Sequence, residues 1–149
     1  MSNLKHIQLQ TLDKHLAQIS IPEVPSGGWI RAIRSGLGMS IQQLASRIDI
    51  AKQSVARLEK NEVNDSITLK SLRKTAEALD CQLVYAFVPN RGGLKAIIEK
   101  QALLKAQEIV SAVDHTMQLE AQAVGNAADK IRETAEELAK RPNNKLWDE

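Results

Sequence analysis

Lys52, Gln53, Ser54 and Arg57 lie close together in a 149-residue chain. Each carries groups that read nucleic acid. A glutamine amide pairs bidentately with adenine, and an arginine guanidinium does the same with guanine. The Ser54 hydroxyl can bond a base or a phosphate. Lys52 can reach a base edge or act as a point charge for phosphate. Val55 stands among them and Leu58 follows Arg57, three positions apart. On a helix that spacing puts the two apolar residues on one face and the four polar ones on the other.

The stretch just before this helix must position it. Ser40 and Gln43 form a Ser-x-x-Gln capping box, each side chain meeting the other residue's amide, so a helix opens at Ser40. Leu44, Ala45 and Ile48 then recur at helical spacing and point inward. Asp49-Ile50 breaks the run. The small Ala45 lets the two helices approach closely. Cap, small residue, turn and polar first turn, in this order, are the pattern of a DNA-binding helix-turn-helix. Gln42 and Gln43 open the first helix of the pair, where exposed amides favour a phosphate. Gln43 is shared with the capping box. The expected DNA contacts are therefore Gln42, Gln43, Lys52, Gln53, Ser54, Arg57 and Lys60, with Arg34, Arg47 and Lys70 as further backbone clamps.

Other elements surround this pair. Leu4, Ile7, Leu9, Leu12, Leu16 and Ile19 mark an amphipathic helix over residues 4–19, which ends before Pro22. Residues 22–28, PEVPSGG, form a connector. A helix from Trp29 to Ser35 would turn Trp29, Ile30 and Ile33 inward and Arg31 and Arg34 outward. Thr68 caps a further helix that runs to Leu79 and buries Leu69, Leu72, Ala76 and Leu79. Residues 81–88, CQLVYAFV, read as a strand, with Cys81 as a small buried thiol. A lone strand leaves backbone groups unpaired, so its expected partner is its own copy in a second subunit. Leu103, Val110, Met117, Val124, Ile131 and Leu138 are spaced by seven, a heptad seam over residues 94–140. Its companion position shifts near Glu120, and Gly125-Asn126 can bend it. The reading is one long helix or two nearly collinear ones. Residues 141–149 form a tail whose Leu146-Trp147 pair can dock.

The totals narrow the function. Aromatics are 3%, so the core must be aliphatic, which suits helices. Net charge is only +2, but basic residues outnumber acidic ones between Trp29 and Pro89, and that local balance favours a polyanion. A single cysteine excludes internal disulfides and thiolate clusters. His6, His15 and His115 lie on separate helices with no acid or cysteine at ligand spacing. No Gly-rich phosphate loop follows a strand, and nothing assembles a nucleophile, base and orienter. No enzyme, cofactor or metal is expected. No apolar run is long enough to span a membrane and no signal segment is evident, so a soluble cytoplasmic protein is expected.

Residues 29–79 resemble the XRE/Cro family of helix-turn-helix repressors through LASRIDIAKQSVARLEKNE, with its Leu-Ala, turn and Val-x-x-Leu-Glu. More narrowly, GGWIRAIRSGLGMS, ITLKSLRKTAEALDCQLVYAFVP and the Leu-rich N-terminal segment resemble the mobile mystery protein A group. That resemblance implies an antitoxin-like regulator encoded beside a Fic-domain protein. Two positions depart from the family: Asp49 stands where the turn usually has Gly, and Ala51 where Ser or Thr opens the recognition helix. Asp tolerates a left-handed conformation, while the missing cap costs about 1 kcal/mol. The Ser/Thr-x-x-x-Glu-Gly/Asn helix of Fic inhibitors is absent, because no Glu in the chain precedes Gly or Asn.

The expected architecture is mainly α: a lambda-repressor-like helix-turn-helix bundle with one short β-strand and a long C-terminal helical extension. The divisions are 1–28 (N-terminal helix and linker), 29–89 (DNA-binding domain) and 90–149 (dimerisation or partner binding). The expected function is a dimeric, sequence-specific repressor of its own operon, bound to operator DNA. The alternative is an adaptor that sequesters a Fic-domain partner through the C-terminal helix.

Overall fold

The computed structural model describes residues 2–119 and 127–149. The chain divides into two compact units, residues 20–85 and residues 1–19 with 86–149.

The first unit is a four-helix bundle: α2 (Trp29–Gly36), α3 (Ile41–Ile48), α4 (Lys52–Val63) and α5 (Leu69–Ala78). Ile30, Leu44, Ala45, Ile48, Val55 and Leu79 form its core, flanked by Ile33, Met39, Leu58 and Leu72. These are the aliphatic positions that the helical periodicity brings to one face of each helix. Local chemistry sets the helix starts. Ser40 Oγ accepts from the Gln43 amide at 3.1 Å, and Gln43 Oε1 accepts from the Ser40 amide at 2.8 Å. Thr68 Oγ1 accepts from the Ser71 amide at 3.1 Å and opens α5.

The start of α2 is held from a distance. Its first amides, on Trp29 and Ile30, donate to the Glu62 carboxylate at 2.8 and 2.9 Å. Gly28 precedes them at φ 85°, and a Cβ there would stand 2.7 Å from Glu62 Oε1. Only glycine fits both that dihedral and that gap.

Three side chains depart from the sequence reading. Trp29 is 40% exposed rather than inward. With Ile30 and Ile33 on the core face, Trp29 is rotated about 100° from Ile30 around the axis. Arg34 shares the face of Ile30, four residues earlier, and turns inward rather than out. Leu69 lies at the open end of α5 and is exposed. Thr75 takes an interior place instead, its hydroxyl satisfied by the Ser71 carbonyl at 2.8 Å.

The second unit contains α1 (Ser2–Ala17), α6 (Gly93–Leu119), α7 (Ala127–Lys140) and a 3-10 turn at Asn144–Trp147. α1 is fastened to the start of α6 by Asp13, whose two carboxylate oxygens accept from the amides of Leu94 (2.6 Å) and Lys95 (3.1 Å). This satisfies two of the orphan donors that every helix N-terminus carries. α7 packs back against α6, with Ala139 and Lys140 beside Lys95 and Ile98. The extension is thus an antiparallel pair, not one long or collinear helix. Val110 lies on the buried face with Ala102 and Ala106, and the two alanines let a neighbouring helix come close. A heptad stripe serves a folded-back pair as well as a straight rod, so periodicity alone does not separate them. Val124, the companion shift near Glu120 and the Gly125-Asn126 bend lie outside the described residues, as do the side chains of His115 and Met117. Leu146 is the buried residue of the 3-10 turn, which Gln101 and Lys105 tie to α6 through the carbonyls of Leu146 and Asp148.

Residues 81–88 are not a strand in the single chain. A strand is defined by its ladder, and among the described residues none pairs with them in one; the Cys81 amide instead bonds the Ala76 carbonyl at 2.8 Å at the end of α5. Cys81 is exposed rather than buried. Among the described residues no helix is long and apolar enough to cross a membrane, and no group of three or more His, Cys, Asp or Glu is placed to hold a metal ion.

Candidate nucleic-acid interface

The turn between α3 and α4 aims the polar face. Asp49 closes α3 in the left-handed conformation, φ 63° and ψ 49°, and the Ile50 amide bonds the Ala45 carbonyl at 3.0 Å. Ala51 then has the extended N-cap conformation, φ −68° and ψ 148°, but supplies no side-chain cap. The Ser54 amide bonds the Ala51 carbonyl at 2.9 Å, so among the described residues the Lys52 and Gln53 amides at this end are left for solvent or a ligand.

α4 is fixed by its inner face. Val55 is fully buried, and Glu59, one turn on, is buried with it. Arg34 from α2 donates to Glu59 through Nε at 2.6 Å and through a terminal guanidinium nitrogen at 3.4 Å, and to the Met39 carbonyl at 2.9 Å. Glu62 adds the link to the α2 amides. Two carboxylates of α4 therefore grip α2, and the opposite face of α4 is turned outward.

On that outward side Lys52, Gln53, Arg57 and Lys60 are exposed, and Ser54 is half-buried. Among the described residues none of these side chains makes a hydrogen bond or ion pair within the chain, so their donors and acceptors remain available. Gln42 is exposed at the start of α3. Gln43 is exposed beside it, its amide oxygen occupied by the Ser40 amide. Its NH2 group has no partner among the described residues, so the capping bond leaves Gln43 a donor for a phosphate.

Two of the additional clamps fare differently. Arg34 is committed to Glu59, with side chains 11% and 12% exposed, and is not a free cation. Arg47 donates through Nε to the Ala78 carbonyl at 2.7 Å, which ties α3 to the end of α5; its terminal nitrogens have no partner among the described residues. Lys70 is exposed at the start of α5. Glu59 and Glu62 do not emerge from the polar face because they lie behind it. The signal for Glu59 was its spacing of four from Val55, which places it on the inward side.

A solvated polar face alone is common, and the deciding observation is a family match. The family described as Helix-turn-helix matches residues 30–85. Residues 30–85 are an XRE-type helix-turn-helix domain. That domain is a DNA-binding regulatory unit, and its helix pair is α3 and α4. No curated protein and no solved structure matches the chain. In this helix-turn-helix domain α4 is the second helix of the pair, and Lys52, Gln53 and Arg57 near its N-terminal end face outward.

Proposed function

We propose that the chain is a dimeric, sequence-specific operator-binding repressor of its own operon, with Lys52, Gln53, Ser54 and Arg57 at base edges and Gln42, Gln43 and Lys60 on the phosphate backbone. The observation that carries this reading is the unengaged outer face of α4, held outward by buried Glu59 and by Glu62. A DNA ligand accords with a cytoplasmic location.

One such face gives little affinity, so a second copy is part of the proposal. Residues 82–88 support it. Their backbone amides and carbonyls make no hydrogen bond among the described residues. Val84 is 79% exposed and Phe87 91%. An exposed apolar segment with unpaired backbone is a template for strand pairing. Antiparallel pairing with the same segment of a second copy would satisfy both defects and hold two recognition helices for half-sites about 34 Å apart.

The test is a gel-shift titration on the DNA upstream of the gene, with one-base variants of the site. Gln53→Ala and Arg57→Ala should each lose about 1–3 kcal/mol of discrimination at one base position. Wild-type affinity and preference in both variants would sink the reading.

A second reading follows from Ile97, Leu104 and Ile109, apolar residues exposed on α6. It is an antitoxin-like adaptor, in keeping with the resemblance to mobile mystery protein A, that holds a Fic-domain partner on this helix. Ile97→Lys with Leu104→Lys would then abolish co-purification of the neighbouring Fic-domain protein while operator binding persists. Unchanged co-purification, or no association at all, would remove this reading.

A further inference from the structure

Between α1, the start of α6 and the end of α7 lies a cavity of about 700 Å³, within the range that takes up a small organic ligand. Its walls combine an apolar floor with an uneven charge. Leu9, Ile98 and Pro142 line it. Lys5, Lys14 and Arg141 also line it, and none of the three makes an ion pair among the described residues. The acids at the same place are already engaged. Both Asp13 oxygens are taken by the Leu94 and Lys95 amides, and Glu99 pairs with Lys95 at 3.7 Å. The cavity therefore offers three uncommitted cations and no uncommitted carboxylate.

A second hollow, of about 860 Å³, shares Lys95, Ala139, Lys140 and Arg141 with the first and continues between α6 and α7 to Leu103, Ile131 and Ala135. From Lys95 to Leu103 is about 12 Å along a helix axis at 1.5 Å per residue. Leu103 is 43% exposed, so this apolar end is not closed by the chain itself. The exposed Arg132 and Glu136 also line this hollow, so it is an apolar trough with charged side chains at its rim. A cationic head region that continues into such a trough matches an amphipathic anion.

We propose that this groove is a binding site for an aliphatic carboxylate, its head group held by Lys5, Lys14 and Arg141 and its chain laid along Leu103 and Ile131. Ordering three long side chains around one anion uses charge-assisted hydrogen bonds, and the trough removes the chain from water. The chain path ties this site to the reading unit. Residues 20–85 are inserted between α1 and α6, so both of their ends continue into helices that wall the groove. The binding claim stands without the operator reading, because its assay contains no DNA.

The experiment is calorimetric titration of the full chain with decanoate below its micelle concentration, beside 1-decanol, decyltrimethylammonium and hexanoate. One-site saturable binding is expected for decanoate, at least tenfold weaker binding for decanol and hexanoate, and none for the cation. Lys14→Glu with Arg141→Glu should weaken decanoate at least tenfold with an unchanged circular-dichroism melt. If that pair fails to fold, Lys5→Gln and Leu103→Gln, both at exposed positions, carry the test with a loss of threefold or more. No saturation at millimolar decanoate, equal affinity for decanol, or wild-type affinity in the folded variants would overturn the proposal.

Discussion

Glu59 of the recognition helix and Arg34 of α2 are joined at 2.6 Å across a nearly dry contact. The guanidinium and carboxylate meet through two nitrogens, the geometry that makes such pairs directional. Removing one partner leaves a charge in an interior that hydrates it poorly. Glu59→Ala is therefore expected to destabilise the helix-turn-helix domain by about 3 kcal/mol, and Glu59→Ala with Arg34→Met by less than the sum of the single changes. Urea titration followed by circular dichroism measures both, and additivity in that cycle would show that the pair is not coupled.

The turn between α3 and α4 carries two opposite expectations. At Asp49, φ 63° suits Asp but penalises a β-branched residue. Asp49→Val should lower stability by about 1–2 kcal/mol, while Asp49→Gly stays near wild type. At Ala51 the backbone already has the dihedrals of a capping residue. Ala51→Ser should raise stability by about 1 kcal/mol. A thermal melt of the three variants reads both, and an unstable Ala51→Ser would show that the α4 amides are not in need of a cap.

Much of this region was legible in the residues because its determinants are local. The Ser40–Gln43 box, the Thr68 cap and the left-handed Asp49 each depend on neighbours within a few positions. Arg34 was read outward because its partner lies 25 residues away, and nothing near it in sequence announces a buried carboxylate. The fold-back of α7 on α6 was hidden for a related reason. Ala102 and Ala106 present the same stripe to a folded-back neighbour as to a straight one. Of the interface, the outward face of α4 was legible from Val55 and Leu58. The spacing of Glu59 from Val55 marks it as inward, but the α2 groups that Glu59 and Glu62 meet lie far off in sequence and are not legible there.

Lys60 offers a contact of another kind from Gln53. It is an exposed cation at the far end of the polar face, suited to phosphate rather than to a base. Lys60→Ala should weaken binding by a similar factor on every sequence and flatten the logarithmic salt dependence by about 1. Gel shifts at several salt concentrations give the slope. A change in base preference instead would move Lys60 into the groove.

Gly28 and Glu62 form a lock in which neither part works alone. Gly28→Ala places a methyl group against the Glu62 carboxylate, at 2.7 Å and at a left-handed φ. The variant should lose about 2 kcal/mol or more, as for strain at a special dihedral. Glu62→Gln, which keeps an acceptor for one of the Trp29 and Ile30 amides and sets an NH2 group against the other, should lose less. Denaturant midpoints rank the two, and the reverse order would place the strain elsewhere.

The Asp13 bonds to the α6 amides span 81 and 82 positions of sequence. During synthesis α1 emerges first, yet its partner does not exist until the whole of residues 20–85 has followed. Closing so long a loop is slow compared with forming four helices from near neighbours. The DNA-reading unit is thus complete while α1 still waits, and the last assembly event joins α1 to a helix made only after that unit. The order of birth and the order of folding are reversed for that one helix.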